Sequence, residues 1–337
     1  MTKTNHLNAD YIFQLGFGYW KSCILFTAVE FDIFTLIGKG KVTARGISKS
    51  IHANERATEM LLNALVSLKL LTKQKNHYKN SPVSNLHLIK GKPYYQGDAV
   101  HHAHNIMDNW TMLRETIETG KAISLKDLPE EVDPHDARDF ITAMHNIASV
   151  KADELCSIID LRGARRLLDL AGGPGTYAIA FAKANLQLHA VVFDLEHVTR
   201  LTREFIKASR MEDRVFVQAG NCLEDSFGMN EYDAILVSNI LHIYNPANNV
   251  KILRKCQDAL REGGRVIIHE FVLDETKTRP QFAALFSLNM LIGTQEGASY
   301  SESEYRKWLK DAGFKQAKKV DLESGSAVFI GKKIAME

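Results

Sequence analysis

The stretch Arg166-Leu-Leu-Asp-Leu-Ala-Gly-Gly-Pro-Gly-Thr-Tyr177 joins an apolar run to a cluster of glycines and the start of a further apolar segment. A second apolar run follows at His189-Ala-Val-Val-Phe-Asp-Leu195, whose Asp194 lies 19 residues beyond Gly175. The order is strand, glycine turn, helix, strand, acid. In a parallel α/β unit this order sets bare glycine backbone against a nucleotide-like ligand at a helix N-terminus, and a carboxylate against ribose hydroxyls. These residues predict a parallel sheet that holds an adenosine-containing cofactor.

The remaining sequence bounds what surrounds that unit. The chain has 337 residues, 45% hydrophobic and 24% charged, which is enough for about two globular domains. A formal net charge of +2 gives no footprint for nucleic acid or an anionic membrane surface, so neither is expected as a partner. Cys23, Cys156, Cys222 and Cys256 form no C-x-x-C pair, which argues against a zinc site or a disulfide framework and fits a reducing compartment. The cluster His101-His-Ala-His104 cannot turn all its imidazoles to one ion from a helix, and no metal site is expected. The polar segment Met1 to Asp10 lacks the apolar core of a signal peptide, so a cytoplasmic location is expected. Between Tyr11 and Ile37 the chain is apolar but carries Gln14, Lys21, Glu30 and Asp32, which reads as a pair of buried helices too polar to span a bilayer.

Apolar residues run nearly all round the segment from Ile12 to Ile37, so more than one face must be covered, and a homodimer through this region is expected. Ala44 to His52, a break at Ala53-Asn54, and Glu55 to Lys69 with Met60, Leu61, Leu62, Leu65 and Leu68 form a helix-turn-helix pattern. Two short strands between Leu70 and Pro82 would complete a winged helix. A DNA-binding metabolite sensor is the rival reading, but the second helix opens with Glu55 and Glu59 where base-reading cations would stand. Gly97 to Leu161 reads as a helical bridge, including Asn105 to Thr119 and Pro134 to Ile159, with a polar connection at 124–134. From Arg165 onward, strand candidates at Leu167–Leu170, Ala190–Phe193, Val215–Gln218, Ala234–Ser238 and Val266–Phe271 alternate with helices. The last two, Gln316–Leu322 and Ala327–Lys332, are separated only by Glu323-Ser-Gly-Ser326, which suits a hairpin. The predicted fold is α/β, a Rossmann-like, doubly wound, mostly parallel sheet with an antiparallel C-terminal hairpin, preceded by a mainly helical winged-helix domain. Domains are expected at 1–96, 97–161 and 162–337.

The glycine turn departs from the G-x-G-x-x-G of nicotinamide sites. Asp169, Gly172, Gly173 and Gly175 resemble D-x-G-G-G-x-G, motif I of class I S-adenosylmethionine-dependent methyltransferases, with Ala171 at the first glycine. The resemblance extends over almost the whole chain to the O-methyltransferase family of plant caffeate enzymes, acetylserotonin methyltransferase and bacterial natural-product tailoring enzymes, in which an N-terminal winged-helix dimerisation domain is typical. It implies S-adenosyl-L-methionine as cofactor and S-adenosyl-L-homocysteine as product. Val192-Phe-Asp-Leu195 matches the second motif, making Asp194 with Leu195 the expected ribose contact. Gly220-Asn221-Cys222-Leu223 matches G-D-x-F, with Asn221 in place of the acid and its side-chain oxygen able to accept from an adenine amine. In Tyr232 to Tyr244 and Leu253 to Glu270, His242 falls on the family's catalytic histidine and Glu270 on the acid that orients it.

Departures accompany these matches. The aspartate that follows the histidine in plant enzymes is Ile243, a second orienting acid is replaced by Ser299, and a cofactor-contacting lysine is Ser238, which makes a bacterial-type member the closer resemblance. The implied reaction is methylation of a hydroxyl on a small aromatic or polyketide-like metabolite, with His242 as general base toward a phenol whose free pKa is near ~10. By the same resemblance the acceptor pocket draws on Trp110, Met144, Phe286, Met290 and Thr294. Some proteins of this fold bind the cofactor without methylating, which is the alternative within the family. His269, which precedes Glu270 in a predicted strand, should face the other side of the sheet and be structural. Ser301 with Glu304 three residues on predicts a capped amphipathic helix.

Overall fold

The computed structural model describes residues 8–40, 42–123 and 134–334. The chain divides into two compact units, 1–105 and 106–337, so the expected bridge at 97–161 is shared between them instead of forming a body of its own. Residues 124–133 of its polar connection lie outside the described residues.

The first unit holds seven helices among its described residues: α1 (Ala9–Gly16), α2 (Tyr19–Glu30), α3 (Ile33–Gly38), α4 (Ala44–Ser50), α5 (Glu55–Ser67), α6 (Pro82–His87) and α7 (Gly97–Asn105). The hairpin β1 (Leu71–Gln74) and β2 (His77–Asn80) follows α5, giving the expected order of helix, turn, helix and hairpin. Asn54 caps α5 by accepting the N–H of Ala57 at 3.0 Å, and Thr58, Leu62 and Leu65 turn inward. Met60, grouped with the apolar face in the sequence, is instead 59% exposed, since helical geometry carries it away from Leu62 and Leu65. No residue of α1 is buried, and Ile12, Phe13, Leu15, Phe17 and Trp20 lie exposed. The expectation of buried helices therefore fails for α1 within this chain. Ala9–Glu30 is also long and apolar enough to cross a membrane, so its polar interruptions do not by themselves exclude a span.

The second unit is built on a seven-stranded sheet. Its strands are β3 (Arg166–Leu170), β4 (His189–Asp194), β5 (Val215–Ala219), β6 (Tyr232–Ser238), β7 (Leu260–Glu270), β10 (Lys315–Asp321) and β11 (Ala327–Lys332), ordered β10-β11-β7-β6-β3-β4-β5. The five strands from β7 to β5 are parallel, and β11 and β10 close the sheet as an antiparallel hairpin. A two-residue pairing of β8 (Val272–Leu273) with β9 (Tyr300–Ser301), too short to carry a periodic signal, was not legible in the sequence. The helices are α8 (Met107–Thr111), α9 (Leu113–Thr119), α10 (Pro134–Ser149), α11 (Ala152–Ile158), α12 (Thr176–Ala184), α13 (Glu196–Ala208), α14 (Pro246–Ala259), α15 (Gln281–Gly293) and α16 (Glu302–Asp311). Glu304 closes the predicted capping box by accepting the N–H of Ser301 at 2.7 Å.

Strand alternation sorts the core. Leu168, Ile235, Val237, Val266 and Ile268 join a cluster with Leu253 of α14 and Trp308 of α16, while Leu167, Ala234, Leu236 and Ile267 join the opposite cluster with Ala178 of α12 and Ile206 of α13. Both faces are covered, which explains the continuous apolar runs of the central strands. Strands β3, β4 and β5 extend the sheet one way and β6 returns to the other side of β3. This reversal opens a crevice at the strands' carboxyl ends, where ligands of such sheets bind.

Candidate active site

Two groups of side chains meet the crevice, one from β3, β4 and β5, the other from β6, β7 and α15. On the first, Gly173 and Gly175 take φ of +52° and +71°, and Gly175 caps α12. A Cβ on Gly172 would stand 2.6 Å from the Asp169 carboxyl carbon, and one on Gly220 would stand 2.4 Å from the Phe193 ring, so neither position admits a side chain. The turn thus passes bare backbone along the strand ends. Ala171, at the place of the family's first glycine, keeps a left-handed φ of +50° without glycine's freedom.

Asp194 accepts the N–H of Gly173 and that of Leu195, each at 2.8 Å, and its backbone carbonyl accepts from Gly220 at 2.9 Å. Thr202 of α13 donates to the Gly173 carbonyl at 2.6 Å, bracing the turn from outside. Among the described residues no cation pairs with Asp194, and burial raises its carboxyl to about 6. Asp169 lies fully buried beneath the turn; burial foremost, with the nearby Asp194, raises it to about 7. Its Oδ2 accepts from the Ala178 N–H at 3.2 Å, whereas Oδ1 is buried without a partner among the described residues. Uncovered backbone and a carboxylate held only by N–H groups are the chemistry of a site that takes hydroxyls and amines, and these residues fit an adenosyl cofactor.

The second group is centred on a buried imidazole–carboxylate pair. His242 lies on a 3₁₀ turn (Leu241–Ile243) after β6, with Nδ1 2.8 Å from Oε2 of Glu270 at the end of β7. The other carboxylate oxygen of Glu270 accepts the N–H of Leu241 at 2.9 Å. Glu270 is fully buried and His242 is 7% exposed. Phe286 of α15 meets the imidazole edge-on at 4.9 Å, and its ring packs 5.0 Å from Phe271 and 5.9 Å from Phe282. Sequence reasoning missed the residues that hold the turn. The amide of buried Asn249 donates to the carbonyls of Leu241 at 2.9 Å and Tyr244 at 3.2 Å, and Ala298 donates to that of His242 at 2.9 Å. A Cβ on Gly297 would come within 2.5 Å of the His242 carbonyl, so only glycine lets that loop close over the turn.

Several of the remaining candidates also make contacts within the chain. Ser238 shares a hydrogen bond with His269 Nδ1 at 2.9 Å, and Nε2 of His269 meets Ser326 at 2.8 Å. Burial, with the charge of Lys151, drives the His269 pKa down to about 3, so this imidazole is a neutral internal link, as its strand position predicts. The Asn221 oxygen accepts the N–H of Leu223 at 2.8 Å, leaving one lone pair at most for an adenine amine. Cys222 is buried with its sulfur 3.3 Å from the Tyr244 hydroxyl. Thr294 uses its hydroxyl within the chain, donating to Met290 at 2.6 Å and accepting from Gly297 at 2.9 Å. Trp110 donates to Asn289 of α15 at 3.0 Å, which ties α8 to the helix bearing Phe286. Met290 is buried on the same helix, and Met144 on α10 is partly buried. Ser299 is buried with its hydroxyl unpartnered among the described residues. No group of metal-ligating side chains occurs among the described residues, and His104 pairs with Glu30 at 2.8 Å.

Comparison with known proteins agrees with this architecture. A family model described as O-methyltransferase domain matches residues 123–315, and one described as O-methyltransferase dimerisation domain matches residues 13–90, a span that takes in most of the apolar Ala9–Glu30 segment. The chain is 33% identical to a 3-hydroxy-5-methyl-1-naphthoate 3-O-methyltransferase of Streptomyces sahachiroi, over 93% of this chain and 92% of that protein. It is 28% identical to a tetracenomycin polyketide synthesis 8-O-methyltransferase of Streptomyces glaucescens, over 96% of both. Human N-acetylserotonin methyltransferase, solved in complex with S-adenosylmethionine, shares the fold with a TM-score of 0.90 at 23% identity, over 99% of this chain and 100% of that one. With both family domains in order and the glycine turn, Asp194 and the His242–Glu270 pair at one crevice, the chain belongs to the O-methyltransferase family, whose methyl donor is S-adenosyl-L-methionine.

Proposed function

We propose that this protein methylates a hydroxyl of a small aromatic or polyketide-like acceptor, with His242 as the general base. The observation that carries the reading is the 2.8 Å bond between His242 Nδ1 and buried Glu270. Donation of the Nδ1 proton to the carboxylate fixes the tautomer and leaves Nε2, which has no partner among the described residues, as an acceptor. The acceptor's hydroxyl proton passes to Nε2 as its oxygen attacks, and Glu270 stabilises the imidazolium that results. Bound S-adenosyl-L-methionine supplies an electrophilic methyl group on a sulfonium and leaves as S-adenosyl-L-homocysteine. Asp194 takes the ribose hydroxyls, the Gly172–Gly175 backbone and Leu195 line the cofactor, and Gly220 to Cys222 face the adenine. Phe286, Met290, Trp110 and Met144 enclose the acceptor, with Thr294 shaping the end of α15. The match to two natural-product relatives acting on aromatic and polyketide frameworks supports this acceptor class.

The dimerisation-domain match and the exposed apolar face of α1 support a winged-helix homodimer. Four free cysteines suit a cytoplasmic setting. The decisive experiment incubates the protein with S-adenosyl-L-methionine and a panel of phenols and naphthols, then reads product mass. Gain of one methyl with release of S-adenosyl-L-homocysteine is expected. Tight binding of S-adenosyl-L-homocysteine with no methylated product across the panel would favour the non-methylating reading instead.

A further inference from the structure

Lys151 carries a charge that no carboxylate pairs with directly among the described residues. It stands between α10 and α11, partly buried, with Nζ 4.7 Å from the centroid of the Phe271 ring. That ring packs against Phe286, which packs edge-on against His242, so one aromatic cluster carries the base on one side and an ammonium on another. The ring face offers the ammonium partial compensation. Among the described residues no carboxylate lies within ion-pair distance of Nζ; Glu154, whose charge favours the ammonium from farther off, accepts the N–H of Glu323 at 2.6 Å. Burial lowers the lysine's pKa, which marks the charge as held at a cost. A cation beside the aromatic cluster, without a direct ion pair, suits an anion that arrives with the acceptor.

We propose that Lys151 anchors a carboxylate of the acceptor, so that the substrate class is an aromatic hydroxy acid with its hydroxyl toward His242 and its carboxylate toward Lys151. The assignment rests on the methyl-transfer reading above and narrows it. A planar acid would lie along the Phe271, Phe282 and Phe286 rings, held at one end by charge and at the other by the base. The hydroxyl's position relative to the carboxylate would then decide which site is methylated.

The test sets hydroxybenzoates and hydroxynaphthoates against their own methyl esters, which keep the ring and hydroxyl but lose the charge. Binding to the S-adenosyl-L-homocysteine complex is measured by calorimetry, and kcat/KM by product mass, for the native protein, Lys151→Met and Lys151→Arg. The native protein should favour at least one acid over its ester by about 10- to 100-fold, the range of a charge-assisted contact. Lys151→Met should abolish that preference by weakening the acid alone, and Lys151→Arg should retain most of it. Equal binding of acids and esters by the native protein, or equal losses on both in Lys151→Met, would overturn the proposal. So would a loss of S-adenosyl-L-homocysteine affinity with the acid preference intact, because Lys151 would then serve the cofactor's carboxylate. Acids bound through Lys151 but never methylated would leave the anchor standing and sink the methyl-transfer reading; methylated esters with no acid preference would do the reverse.

Discussion

The two ends of the crevice hold their carboxylates in opposite ways. Asp194 and Asp169 are gripped by backbone N–H groups and face no cation among the described residues, and burial raises both. Glu270, as fully buried as Asp169, spends its two oxygens on the His242 imidazole and the Leu241 N–H. The first arrangement leaves acceptor capacity for a ligand, whereas the second is complete without one and serves to orient a neighbour. Binding at the cofactor end and proton transfer at the other should therefore fail separately.

The sharpest break is His242→Ala, which should lower turnover by about 10²- to 10⁴-fold, the usual range for a general base. Calorimetry should show S-adenosyl-L-homocysteine affinity almost unchanged, and the loss should shrink for more acidic phenols; an equal loss across phenols of different acidity would remove the proton-transfer role. Asp194→Ala should do the converse, weakening S-adenosyl-L-homocysteine by about 10- to 100-fold through the loss of charge-assisted hydrogen bonds.

Acidity should expose the same contrast. Since Asp194 titrates at about 6, S-adenosyl-L-homocysteine affinity should fall as pH drops through that value and its carboxylate protonates. Stability runs the other way for a raised carboxyl. With Asp169 at about 7, its stabilising proton is fully in place below the ordinary carboxylate pKa of about 4 and is lost as pH rises through about 7. Thermal melts of the ligand-free protein should show that decline flattened in Asp169→Asn. The smallest effect belongs to the backbone. Ala171 sits at a φ of +50°, and Ala171→Gly should change stability by about 1 kcal/mol or less, relief of the left-handed strain being offset by glycine's greater unfolded entropy. A large loss in chemical denaturation would show that its methyl group packs.

Local sequence carried the cofactor end because its parts follow one another. A strand, a glycine turn that no side chain can occupy and an acid at the end of the next strand bear their pattern within Arg166 to Asp194. The alternation of apolar runs with helical segments likewise located the strands, and the short Glu323–Ser326 link located the closing hairpin. At the acceptor end the resemblance named His242, Glu270 and the pocket candidates Trp110, Met144, Phe286, Met290 and Thr294, but not the residues that brace the His242 turn. Asn249, Gly297 and Lys151 carry no motif, since their roles come from partners on other elements. The Asn249 amide reaches back to Leu241, the Gly297 loop closes on His242, and the Lys151 ammonium rests on Phe271. Hydrophobic periodicity and turn chemistry are properties of neighbouring residues and so can be read in order. The partners of a buried amide or a half-buried charge are set by which elements pack together, and only the tertiary structure decided that.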